Sequence, residues 1–174
     1  MNKAFTLIEV LIIVLIISFF TGFSIASYNS FTQQQKLKKE AIRLKSVIEL
    51  ARKKAISSDI YDPSCSNYQG YKVRINSNFY DLIFICDNPK TLQTYNLEKN
   101  INIILGTGEI IFPILGRNIK INIYTIRFKN NINNNCIDLF LDTLGNVDIG
   151  KPSSCYRERI PVEPSIGPTL NLYY

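Results

Sequence analysis

Three groups of side chains could carry chemistry in this chain. One is a single carboxylate, Glu9, at the entrance of an otherwise apolar run. The second is a set of four cysteines, Cys65, Cys86, Cys136 and Cys155. The third is basic: a stripe from Lys36 to Lys54 with eight cations against two anions, and the pair Arg157 and Arg159 near the end of the chain. Histidine is absent. That removes the commonest metal ligand, the commonest general base and the near-neutral proton switch together. The serines, threonines and aspartates therefore have no partner for nucleophilic catalysis. Gly106-Thr107-Gly108 is too short to cradle a phosphate and reads as a turn. Asp138, Asp142 and Asp148 lie near Gly145 and offer the oxygen ligands calcium takes, but their spacing forms no calcium loop, and they read as solvent-facing strand and turn residues. The expectation is no enzyme, no catalytic residue, no cofactor and no metal.

No two cysteines stand in a CxxC spacing, so a zinc site would have to draw four thiolates from widely separated places. Disulfides are the better reading, and they place this part of the chain in an oxidising compartment outside the cytosol. Four thiols permit three pairings. The coarse strand map favours Cys65–Cys86, closing a hairpin, and Cys136–Cys155, closing the stretch around Gly145 and pinning the tail that follows.

The carboxylate needs its setting. From Phe5 to Ala26 runs a block of about 22 almost wholly apolar residues, roughly 33 Å as a helix. A bilayer's hydrocarbon core is about 30 Å thick, so 5–26 is the expected membrane span. The run is longer than the apolar region of a cleaved secretory signal, and Ile25-Ala26-Ser27 is a poor cleavage site. Lys3 before the run favours a cytoplasmic N-terminus, although Lys36, Lys38 and Lys39 follow it by ten residues and weaken the charge argument. A charge deep in lipid costs about 2.5–3.5 kcal/mol, so a glutamate here needs a reason.

A short basic leader, the small residue Ala4, then Phe5-Thr6-Leu7-Ile8-Glu9 and a long apolar helix resembles the class III signal of type IV pilins and type II secretion pseudopilins. The resemblance implies that a prepilin peptidase cuts between Ala4 and Phe5, that residues 1–4 are a leader, and that the new Phe5 N-terminus is methylated. It also implies a role for Glu9. The Phe5 ammonium would be a cation stranded among apolar helices, and Glu9 of a neighbouring helix would pair with it and set the register between subunits. The family usually has glycine before the cut; alanine is the next smallest side chain, so cleavage is expected to slow rather than stop. The partners implied are other pilin or pseudopilin subunits, the peptidase, an inner-membrane assembly platform and membrane lipid. The implied location is the cytoplasmic membrane before assembly and an extracytoplasmic or cell-surface filament afterwards.

The helix should continue past the membrane, over 5–58 in all. Leu37, Ala41, Leu44, Ile48, Ala51 and Ala55 recur at 4-3-4-3-4 spacing and mark one apolar face. The other face carries Lys38, Lys39, Arg43, Lys45, Arg52 and Lys53, with Glu40 and Glu49 among them. Gly22 is a candidate weak point for bending during assembly. Ser57-Ser58-Asp59 and Asp62-Pro63 end the helix.

Beyond it the period changes to two. Tyr71, Val73 and Ile75 alternate with polar residues and turn through Asn76-Ser77-Asn78 into Phe79–Cys86. Further strands are expected over Asn102–Leu105, Glu109–Phe112, Asn118–Phe128, Cys136–Asp142 and Val147–Ile149. In the longest, isoleucines at 119, 121 and 123 fall out of phase with Ile126 and Phe128, which indicates a bulge or bend near Tyr124-Thr125. Pro113 marks an edge or a strand end. The run 129–135 (KNNINNN) reads as a polar loop, and the tail from Lys151, with four prolines, as extended loop.

The fold expected is α+β: a long N-terminal helix, transmembrane then amphipathic, followed by an antiparallel head of six to eight strands over 59–174. The helix-end sequence Leu50–Ile56 and the Ile137–Val147 segment are similar to the GspH/FimT group of minor subunits. Some of that group take up DNA, which makes Arg157 and Arg159 candidate DNA-binding residues. The formal net charge of +6 is mild and permits contact with anionic lipid or nucleic acid, though a solvated surface is the expectation. A single-pass membrane protein with an outer sensor domain is the reading from another class. For the cysteines, non-reducing peptide mapping of protein from the cell surface is expected to recover 65–86 and 136–155; a crossed pair would mean that the strand neighbours are wrong.

Overall fold

A computed structural model describes residues 6–116 and 119–155; the side chains of 21–27 fall outside that description. Helix α1 spans Leu7–Ile56, 50 residues, capped at its start by Thr6 and at its end by Ser57. It ends where the Ser-Ser-Asp signal places the stop, and its backbone continues through Gly22. Ten strands follow: β1 Gly70–Ile75, β2 Phe79–Ile85, β3 Lys90–Asn96, β4 Ile101–Leu105, β5 Gly108–Pro113, β6 Lys120–Ile121, β7 Thr125–Asn130, β8 Asn135–Leu141, β9 Val147–Ile149 and β10 Ser153–Ser154. A 3-10 turn, Ile114–Gly116, follows β5. The class is α+β, with antiparallel sheets.

The strands form two sheets. One has the order β3-β2-β1-β5-β6, the other β10-β8-β7-β4 with β9 also on β8. Helix α1 packs on both. Leu37, Ala41, Leu44, Ile48, Ala51 and Ala55 are all buried, as their spacing requires, and Val47 joins them. They meet Tyr71, Val73, Tyr80, Leu82, Phe84 and Phe112 from the first sheet and Ile126, Phe128, Ile137, Leu139 and Val147 from the second in one core.

The expected strand Asn118–Phe128 is not one strand. β6 pairs with β5 in the first sheet and β7 with β4 and β8 in the second, so the chain changes sheets between Ile121 and Thr125. The phase slip is the cause: Ile123 and Ile126 are both buried three residues apart, which one straight strand cannot achieve. The reverse crossing occurs at Gly106, between β4 and β5. There φ is +84°, and a Cβ would lie 2.3 Å from the Thr125 carbonyl oxygen, so only glycine fits. Pro113 ends β5.

Strand β3 lies outside the expected set. Its sequence, KTLQTYN, has no apolar alternation because it is an edge strand held by cross-strand contacts. Tyr95 stacks on Tyr80 with centroids 5.2 Å apart, and the Thr94 hydroxyl donates to Asp81 at 2.6 Å. The polar run 129–135 is also more than a loop. Asn130 closes β7, is fully buried, and donates its amide to the Gln33 carbonyl and side chain of α1 at 3.3 and 3.1 Å.

No helix among the described residues is long and apolar enough to cross a membrane. This differs from the span expected over 5–26. The run whose side chains are fully described, Leu7–Phe20, is about 14 residues, or roughly 21 Å.

The buried face sets an expectation. Ile48→Ala should cost about 2–5 kcal/mol in urea unfolding, whereas Ile42→Ala, at an exposed position of the same helix, should stay within about 0.5 kcal/mol.

Candidate functional site

The functional candidate is α1 itself, because its two halves have opposite environments. From Leu37 onward one face is buried under the head; from Leu7 to Phe20 every side chain is exposed and nearly all are apolar, including Leu11, Val14, Leu15, Ile17 and Phe19. The twelve bare Leu, Ile, Val and Phe side chains of this stretch form far more contiguous apolar surface than a lone soluble domain leaves uncovered.

Glu9 sits at the start of that half. Its carboxylate accepts from the Thr6 backbone N–H at 2.9 Å and from the Thr6 hydroxyl at 2.8 Å, while the Glu9 N–H donates back to the Thr6 hydroxyl oxygen at 3.4 Å. This is a capping box, in which two of the helix's orphan N–H groups find partners. The Thr-x-x-Glu spacing is its sequence signal, hidden by the attention that a charge in an apolar run attracts. Within one chain, then, Glu9 already has donors, and its carboxylate retains lone pairs for more.

Where the helix enters the head, the polar face is wired to the head. Lys36 and Lys39 both reach Glu98, at 3.8 and 3.3 Å. Arg43 lies over the Tyr95 ring, donates to the Asn96 carbonyl and approaches Glu40 at 3.7 Å. Lys45 pairs with Glu49, Lys54 with Asp59, and Arg52 donates to the Asn146 side chain. Of the eight cations in the stripe, only Lys38 and Lys53 lack such a partner among the described residues. The stripe is mostly internal wiring.

Glu40 departs from the expected polar face: it is 1% exposed, and one carboxylate oxygen has no partner among the described residues. Its position one residue before Ala41 places it on the Leu37–Leu44 stripe. Burial raises its pKa above the usual carboxylate range; Arg43 pulls it down, Glu98 pushes it up, and Lys39 pulls it down. The Tyr80 hydroxyl nearby is buried without a partner as well.

Both disulfides are present with the favoured pairing. Cys65–Cys86 ties the segment after α1 to the end of β2, and Cys136–Cys155 ties β8 to the residue after β10. Of the aspartates weighed for calcium, Asp138 makes a two-point pair with Arg127 at 2.7 and 2.8 Å. Asp142 accepts from the Asn146 side chain and N–H and from the Leu144 N–H, which hold its carboxyl below the usual range and build the turn around Gly145. No group of metal-ligating side chains is assembled among the described residues. Ala4, Phe5, Arg157 and Arg159 lie outside the described residues. Comparison with protein-family models, with curated proteins and with solved structures finds no match.

The Glu40 environment generates a pH dependence. A carboxyl whose pKa rises on folding gives stability that is full below its unfolded pKa and fades as pH climbs through the folded one. Glu40→Gln, always neutral, should therefore melt with the wild type near pH 4 and a few degrees above it at pH 7. A wild type that melts higher at pH 7 would show that Arg43 outweighs burial.

Proposed function

We propose that this chain is a structural subunit, minor in copy rather than the bulk component, of a type IV pilus or pseudopilus filament. Prepilin peptidase removes residues 1–4, residues 5–26 reside in the cytoplasmic membrane before assembly, and α1 then packs among the helices of neighbouring subunits outside the cytoplasm. The observation that carries this reading is the division of one 50-residue helix into a half buried by its own head and a half bare and apolar. The bare half must find lipid or other helices; the buried half anchors it to an extracytoplasmic head with two disulfides. The bonds from Thr6 lower the cost of holding Glu9 in apolar surroundings, and the remaining lone pairs can accept a neighbouring subunit's Phe5 ammonium.

A DNA-receptor subunit on the same architecture is the alternative. The helix stripe gives it little support, since six of its eight cations are engaged within the chain. A membrane-anchored sensor would share the bare helix but would not depend on the peptidase.

Processing separates the two filament readings from the membrane-anchored sensor, and a salt-sensitive DNA gel shift separates the DNA receptor from the structural subunit. Mass spectrometry of filament-associated protein should find Phe5 as a methylated N-terminus, and Ala4→Gly should leave cleavage intact or quicken it. Glu9→Leu should insert in the membrane and yet fail to enter filaments. A mature chain beginning at Met1, or after Ala26, would sink the proposal.

A further inference from the structure

The face of the first sheet turned away from α1 has two unlike ends. Side chains on that face follow from the pairing register. Asp81, Arg74 and Glu109 form one row; Ile83, Lys72, Ile111 and Lys120 form the next; Ile85, Gly70 and Pro113 form the last. The first end is ionic: Glu109 receives Lys72 at 3.0 Å and Arg74 at 3.2 Å. The other end is apolar, with Ile85 and Pro113 on either side of the buried Gly70. Gly70 cannot be replaced, because φ is +122° and a Cβ would lie 2.1 Å from the Phe112 carbonyl oxygen.

Beside these residues runs a groove of about 510 Å³, with Ile85, Ile111, Pro113 and Ile114 as half-buried apolar walls and Lys72 and Lys120 among its polar lining. That size and mixture suit a small ligand with an apolar body and few polar groups. The two lysines differ. Lys72 is committed to Glu109, whereas Lys120, directly opposite Ile111, is exposed and has no ion pair among the described residues. Among the described residues, the lining holds no Asp or Glu.

We propose that this groove is a binding site for a small amphipathic carboxylate, with its apolar body against Ile85, Ile111, Pro113 and Ile114 and its carboxylate at the Lys120 ammonium. The charge of Lys120 selects an anion over a cation, and the walls select an apolar body over a simple anion such as acetate. The groove lies on the sheet face turned away from the core stripe of α1, so the proposal does not rest on the assembly reading.

The test is a titration of the full chain in lipid nanodiscs, followed through the isoleucine δ-methyl signals by NMR. The probe is 4-phenylbutyrate, with 4-phenylbutylamine as the cationic control for partition into lipid and onto the bare helix. Saturable shifts at Ile85, Ile111 and Ile114 are expected with the carboxylate, at least tenfold weaker with the amine. Lys120→Glu, an exposed position that should not disturb folding, is expected to lower carboxylate affinity at least tenfold and favour the amine. The proposal is overturned if these methyls do not saturate, if both probes bind alike, or if Lys120→Glu leaves carboxylate binding unchanged.

Discussion

One helix face has to cover two sheets at once, and the remaining structure follows from that requirement. The stripe from Leu37 to Ala55 is narrow, and three of its six members are alanines. Small side chains bring the helix axis close to both sheets, so large residues such as Tyr71, Phe84, Phe112 and Phe128 fill the space from the sheet side. Had the large side chains been on the helix, the two sheets could not have shared one core around it.

The same requirement explains the polar devices at the junction. A helix gripped along only part of its length needs a fixed axial position. Asn130, reaching Gln33 from the end of β7, supplies one stop at the point where the helix leaves the head. Arg52, reaching Asn146 from the other side of the molecule, supplies a second near the helix end. Between them the Lys36–Glu98–Lys39 and Arg43–Tyr95 contacts hold the loop after β3 against the helix. Asn130 is fully buried, where a hydrogen bond has more value than on an open surface, whereas Lys36, Lys39 and Arg43 keep much of their solvent contact and serve chiefly to orient the loop.

Much of this was legible in the residues, and what was not has identifiable causes. The 4-3-4-3-4 spacing located the buried face residue by residue, because a helix in contact along one side leaves its period in the sequence. The first hairpin and the disulfide pairs were readable because they are local. Strand β3 escaped because an edge strand with two exposed sides has no reason to alternate, so KTLQTYN looks like a loop. The split of the 118–128 segment was visible as a phase slip, yet its meaning, a change of sheet, depends on which strands are neighbours, and that is not local information. Glu40 and Asn130 escaped for a related reason: residue type says exposed, and only the folded surroundings, with Arg43 beside Glu40 and Gln33 accepting from Asn130, make their burial tolerable. At the site, the charge of Glu9 was conspicuous while its bond to Thr6 was overlooked, although both lie in the same four residues.

The two disulfides have a mechanical meaning beyond their effect on the unfolded chain. Tension carried along α1 leaves it through residues 57–65 and reaches Cys86 across a sulfur bridge, without first passing through the hairpin of β1 and β2. Tension entering from the tail side meets Cys155 and passes at once to Cys136 on β8, so the two-residue strand β10 and the three-residue strand β9 cannot be peeled away one after another. Between these clips the load falls on β2 and β8, one in each sheet, and each is hydrogen-bonded on both sides. The head is thus built so that a pull is shared across the widest strands of both sheets, and the short strands at the margins carry almost none of it.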